Sequence, residues 1–291
     1  MNKNISLVLS SGGARGIAHI GAIEELEKQG FEIKSIAGTS MGALVGGMYA
    51  AGKLDVYKEW MCSLDKMDVF NLIDFTLSLN GLIKGEKILK EMKKIIPDRN
   101  IEDLPIPYSV VATDIINGKE VIFESGSLYD AIRASISIPT VFTPFNKNGL
   151  KLVDGGVLNP IPINRVKRQD NDILIVVNVG ADKIHETPNI KETISEIDKK
   201  HNKYLTKIHD TINNIIPKNK TDKLGYYNLL NKTTSLMLQE ISKFTLEKYK
   251  YDILIEIPKT AYGTYDFYKS NEIIELGINE TKKALQKYFE K

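Results

Sequence analysis

Hydrophobic positions follow two different periods along this chain, and the switches between them mark its elements. Residues 5–9 form a short aliphatic run that stops at Ser10-Ser11-Gly12-Gly13. The period then lengthens. Ile17, Ile20, Ile23 and Leu26 recur at helical spacing, and Gly30 closes that helix. Residues 33–37 predict a second strand ending at Gly38, and residues 41–51 a helix of small residues capped near Gly52. A βαβα opening of this kind predicts a mostly parallel sheet.

Downstream, residues 54–103 are loosely patterned and read as helical. Within them Glu86–Ile95 has an amphipathic pattern that Pro97 ends. Strand patterns return at 108–112 and 120–123, split by the Asn117-Gly118 turn signal. A short helix is expected at Leu128–Ser135, ended by Pro139 and Pro144, and a short strand at 150–153 runs into Asp154-Gly155-Gly156. Residues 173–179 are apolar on both faces, as in a buried strand. Residues 182–250 differ in kind, with 13 Lys, no Arg and nine acidic residues. They read as a helical insertion or lid, with Leu230, Met237, Ile241 and Phe244 at helical spacing, before a closing strand (252–257) and helix (270–288). One domain spanning residues 1–291 is the expectation.

Composition narrows the chemistry. The net charge of +2 excludes a strongly electrostatic nucleic-acid binder. A single cysteine, Cys62, excludes an internal disulfide and a cysteine-based zinc cage, and four histidines point away from a His-rich metal site. The first residues carry too short an apolar stretch for a secretory core, and no run approaches the ~20 residues of a membrane helix. The expected location is cytoplasmic, with peripheral contact to a membrane surface left open. The Lys-rich segment is the first candidate for that contact, although a solvated helical layer over the core also explains it.

Three glycine-rich turns could carry catalysis. Gly38-Thr39-Ser40-Met41-Gly42 matches G-x-S-x-G between a predicted strand and a predicted helix. There a serine stands on a sharp turn that bulky neighbours would block, and the following helix aims its N-terminal amides at a developing oxyanion. Ser11-Gly12-Gly13-Ala14-Arg15-Gly16 also joins a strand to a helix. Ser11 breaks the dinucleotide-binding pattern, and the Lys-Ser/Thr end of a P-loop is missing. An oxyanion-binding loop facing Ser40 and a plain tight turn remain. Asp154-Gly155-Gly156 sets a carboxylate at a strand end, within reach of a serine on a neighbouring strand. A triad of Ser40, Asp154 and His185 is formally available, while Asp154 acting directly on Ser40 needs fewer assumptions. His19 reads as a packed structural residue, His201 and His209 as solvated, and Asp114 as a turn acceptor.

Four blocks in order, SSGGARGIAHIGA (10–22), GTSMGA (38–43), ASISIPTVFTP (134–144) and DGGVLNPIP (154–162), resemble the patatin-like phospholipase family, in its bacterial branch akin to neuropathy target esterase. The resemblance covers residues 5 to 180. It implies a three-layer α/β/α fold with a mostly parallel central sheet and a nucleophile elbow. It also implies lipid acyl-ester hydrolysis by a Ser–Asp dyad, with Ser40 as nucleophile and Asp154 as base. The oxyanion hole would be formed by the Gly12 and Gly13 amides with Arg15 supporting the loop, while Gly38, Gly42, Gly155 and Gly156 shape the turns. No cofactor or metal is implied, and the expected partner is a lipid or ester substrate. An acyltransferase on the same site and a non-catalytic membrane or partner adaptor are the alternatives. The family's loop normally has glycine where this chain has Ser11.

Overall fold

A computed structural model of the chain describes residues 3–78, 81–183 and 226–290. Two compact units are present, Met1–Ile184 with Gln239–Lys291 and, separately, His185–Leu238. All the strands described lie in the first unit, on which the rest of this section concentrates.

Its main sheet has the order β11 (Ile253–Pro258), β10 (Ile173–Ala181), β1 (Asn4–Leu9), β2 (Glu32–Thr39), β5 (Tyr108–Asp114), β9 (Leu150–Asp154) and β8 (Phe145–Lys147), with β6 (Lys119–Phe123) paired to β5 outside that path. β1, β2, β5, β10 and β11 are mutually parallel. β6, β8 and β9 join as antiparallel strands at one side. The parallel strands are buried on both faces, which is why they read as unbroken aliphatic runs rather than alternating ones. Ile5, Leu7 and Leu9 face one core, shared with α1 (Ala18–Lys28), α2 (Met41–Ala50) and the C-terminal helix Ser270–Phe289. Val8, Leu174 and Val176 face a second core with Ile161 and Ile163. Leu246, from the helix Tyr226–Lys248, and Tyr249 pack against this second core. Of the four apolar residues at helical spacing in the Lys-rich segment, Met237 and Phe244 are exposed, and Leu230 and Ile241 are half-buried.

The pattern-based elements recur with small shifts in their ends, and two differences matter. Residues 54–103 were expected to be helical, yet β3 (Phe75–Ser78) and β4 (Gly81–Ile83) interrupt them and pair with β7 (Thr140–Phe142) in a small second sheet. Strands of three or four residues show no period, and Pro139 and Pro144 flank β7 and β8 rather than simply ending a helix. The second difference is the placing of Asp154. Its strand, β9, is not a neighbour of β2; β5 lies between them and β9 runs antiparallel to it. Registers nonetheless level the three turns. Leu9 pairs with Gly38, Thr39 with Val111, and Ala112 with Asp154, at the carboxyl edge of the parallel strands.

On the first face α1 and the C-terminal helix cross through two glycines. A Cβ on Gly21 would lie 2.0 Å from the Ile274 carbonyl oxygen, and one on Gly277 would lie 2.1 Å from that of Ala18. Both clashes are with backbone, so the helices must separate to admit a methyl group. Alanine in a helix interior ordinarily stabilises by ~0.5–1 kcal/mol relative to glycine. Here Gly21→Ala and Gly277→Ala are each expected to destabilise, by about 1–3 kcal/mol as in overpacked cores. Denaturant unfolding checks the sign: a rise in the midpoint would show that the crossing can open at no cost.

Candidate active site

Ser40 occupies the single residue between β2 and α2, at φ 57° and ψ −123°. Side-chain-bearing residues avoid this conformation, so the surroundings must impose it. They do so by close packing. A Cβ on Gly38 would stand 2.6 Å from the Gly42 carbonyl oxygen, and one on Gly42 would stand 2.3 Å from that of Leu9. The strand therefore folds directly back onto its helix, and the helix start lies against the end of β1.

Although Ser40 is the N-cap of α2, its hydroxyl makes no capping bond. It donates instead to Asp154 Oδ2 at 2.5 Å, and both side chains are buried. The Ser40 N–H is also engaged, donating to Ser135 Oγ (2.8 Å), whose hydroxyl in turn donates to the Val111 carbonyl (2.6 Å). Asp154 is held from its other side. The Gly156 N–H donates to Oδ1 at 2.7 Å, and the Asp154 N–H donates to the Ser137 carbonyl at 2.9 Å. Gly155 is required because a Cβ there would lie 2.1 Å from the Val111 carbonyl oxygen. Burial raises the Asp154 carboxyl to about 6, against the opposing effect of the hydrogen bonds from Ser40 and Gly156. A carboxylate so poised can take a proton from the hydroxyl it touches and return it near neutral pH.

The glycine-rich loop stands at the end of β1. Ser11 N–H donates to the Pro160 carbonyl and Ala14 N–H to that of Thr264, both at 2.9 Å. Between them, the N–H groups of Gly12 and Gly13 have no acceptor among the described residues. Gly13 has φ +58°, and a Cβ on it would meet Thr264 Cγ2 at 2.6 Å. The Arg15 guanidinium points to the C-terminal loop, donating to the carbonyls of Tyr262 (3.2 Å) and Lys259 (3.5 Å). It braces the loop from behind. Ser11 lies beside the Asp154 turn, its Oγ 3.2 Å from where a Gly156 Cβ would be.

The sequence reading missed three supporting residues, Arg133, Ser135 and Ser137, and took His19 only as a packed structural residue. His19 is fully buried and its Nε2–H donates to the Ser10 carbonyl at 2.9 Å, which fixes the start of the glycine loop. Desolvation lowers its pKa to about 4, so the ring is neutral at physiological pH. Ser135 and Ser137, at and just past the end of the helix Leu128–Ser135, hold Ser40 and Asp154. Arg133 anchors that end, donating to Ser137 Oγ at 2.5 Å, to the Thr143 carbonyl at 3.1 Å and to the Lys84 carbonyl. The 134–144 block was legible as part of the family resemblance, but its contacts were not. Asp114 accepts from the N–H groups of Ile116 and Asn117 and has no part in the site. His185, His201 and His209 lie outside the described residues.

Two stability effects follow. Ser135→Ala leaves the buried Ser40 N–H without its partner and is expected to cost about 1–3 kcal/mol in denaturant unfolding; an unchanged midpoint would mean that water replaces the hydroxyl. Asp154 behaves oppositely. Its folded-state pKa of about 6 lies above the ordinary 3.8, so the native state binds the extra proton between these values. Stability is therefore lost as pH rises through that window and stays lost above it. Asp154→Asn removes the penalty and should stabilise by on the order of 2–3 kcal/mol at pH ~8. The gain should vanish near pH ~4, as read from Tm against pH.

Comparison with known proteins identifies the family. The family model for patatin-like phospholipases matches residues 7–166. An NTE family protein of Mycobacterium tuberculosis is 32% identical over 333 residues, spanning 99% of this chain and 92% of its own length. A lysophospholipase of Scheffersomyces stipitis is 30% identical over 297 residues, spanning 99% of this chain but 18% of its own. Among solved structures, VipD from Legionella pneumophila aligns with a TM-score of 0.48 at 15% identity, over 99% of this chain and 67% of VipD. The extent of the family match and the end-to-end likeness to the mycobacterial protein together show that this chain belongs to the patatin-like phospholipase family.

Proposed function

We propose that the protein is a serine lipid acyl hydrolase that uses Ser40 and Asp154 as a catalytic dyad. The observation that carries this reading is the buried 2.5 Å hydrogen bond between the Ser40 hydroxyl and Asp154, made at a turn where serine would otherwise cap its helix. In the first half-reaction Ser40 Oγ attacks the ester carbonyl while its proton passes to Asp154. The C–O bond to the leaving alcohol then breaks, and the alcohol departs with that proton. Water attacks the acyl-serine in the second half, gives its proton to Asp154, and releases the fatty acid as Ser40 is re-protonated. The N–H groups of Gly12 and Gly13, which have no acceptor among the described residues, together with the N-terminal turn of α2, supply donors for the oxyanion at both stages.

Family membership supports a lipid ester as substrate. The relatives named lysophospholipases make monoacyl phospholipids the first class to test. Ser40→Ala and Asp154→Asn should each abolish fatty-acid release from lysophosphatidylcholine with the circular dichroism spectrum unchanged. Asp154 is a base only when ionised, so kcat/KM should fall about tenfold per pH unit below pH ~6. Full activity in Asp154→Asn would remove Asp154 from the mechanism.

A further inference from the structure

Beyond the site, the carboxyl edge of the sheet carries an unusual turn. β5 continues past Asp114 into Ile115-Ile116-Asn117-Gly118 before returning as β6. Ile116 is 72% exposed, the highest value among the large hydrophobic side chains described, and Ile115 is 45% exposed. Single exposed hydrophobics are ordinary on protein surfaces, but these two are adjacent and rigidly presented. Asp114 Oδ1 accepts from the N–H of Ile116 (3.0 Å) and Oδ2 from the Asn117 side-chain amide (2.5 Å). The Asp114 carbonyl accepts from Gly118 N–H, and Ile115 N–H donates to the Lys151 carbonyl on β9 (3.0 Å). Hydrogen bonds thus hold both isoleucines out in solvent, where collapse onto the body would have buried them.

Position relates this turn to the catalytic edge. Asp154 pairs with Ala112, so the turn begins two residues further along β5, or about 7 Å beyond the carboxylate. Leu158, four residues after Asp154, is 38% exposed, and the next residue, Asn159, donates to Glu120 at the foot of the same hairpin. Charge favours one partner. Lys119 and Lys151 flank the turn and form no ion pair within 4 Å among the described residues, Lys119 acting on the Asp114 carboxylate only at longer range. The carboxylates nearby are already engaged, Asp114 in the turn itself and Glu120 by Arg165 at 2.8 Å.

We propose that the Ile115–Ile116 turn, with Leu158 beside it, is the element by which this protein seats itself on an anionic lipid surface. The apolar tip enters the interface, the two lysines meet anionic headgroups, and the edge bearing Ser40 and Asp154 is turned toward the lipid. The proposal deepens the lipid-hydrolase reading and places the contact outside the Lys-rich segment.

Ile115→Ser/Ile116→Ser in the full chain tests it. Flotation is measured with vesicles of phosphatidylcholine alone and of phosphatidylcholine mixed with phosphatidylglycerol, in a Ser40→Ala background so that no lipid is consumed. Hydrolysis of a water-soluble short-chain ester is measured in parallel without Ser40→Ala. The double substitution should weaken binding to the anionic vesicles at least about tenfold, and leave hydrolysis of the soluble ester unchanged. Lys119→Glu/Lys151→Glu should weaken binding to the anionic vesicles alone. Equal vesicle binding by the Ile115→Ser/Ile116→Ser protein would overturn the proposal. So would absence of vesicle binding together with a self-associated parent that the substitution makes monomeric in sedimentation, since a second copy would then cover the turn. If the parent floats through these isoleucines but hydrolyses no ester, the docking surface stands and the hydrolase reading fails.

Discussion

The strained turn at Ser40 is the constraint around which the rest of this structure is arranged. A serine at φ 57° persists only if strand and helix are forced together on either side of it. That proximity demands Gly38 and Gly42, whose missing Cβ atoms leave room for backbone from α2 and β1. The same approach sets the glycine loop against the start of α2, where a Cβ on Gly16 would meet the Met41 side chain at 2.3 Å. Without the turn, the Ser40 hydroxyl would be free to cap its own helix, as serine at a helix start commonly does. Its diversion to Asp154 is the chemical result of the geometry.

Asp154 shows what such a site costs the fold. A carboxylate buried against a neutral hydroxyl, with only one further N–H donor on its side chain, is ionised at the expense of stability. No cation is paired with it among the described interactions, in contrast to Asp172, which is bonded by Arg168. The result is a carboxyl near 6 rather than one held low by an ion pair. Preorganisation comes instead from Ser135 and Ser137, two buried residues at and just past the end of the helix Leu128–Ser135 that accept from the backbone N–H groups of Ser40 and Asp154.

Much of this was legible beforehand. The parallel strands β1, β2, β5 and β10 announce themselves as aliphatic runs closed by small residues, and α1 by its 3.6-residue period. The elbow, the glycine loop and the Asp-Gly-Gly turn were each visible as short patterns. The three-residue strands were not, because a period needs more residues than they contain. Nor could His19 be recognised as the residue tied to Ser10, since its helical spacing matches any packed position.

What the sequence determined by itself was the local chemistry: which turns are sharp, which residue each presents, and the family to which the set belongs. These depend on backbone conformation and on residues adjacent in the chain. Only the tertiary structure decided that β9 approaches from the antiparallel side with β5 between it and β2, and that Ser135 stands behind Ser40. It also decided how far burial raises the Asp154 carboxyl, and that an isoleucine pair stands beyond the edge bearing Ser40 and Asp154. Those features arise from strand register and from groups up to 114 residues apart in sequence. Such separations leave no periodic trace, because the contacts exist only once the sheet has closed.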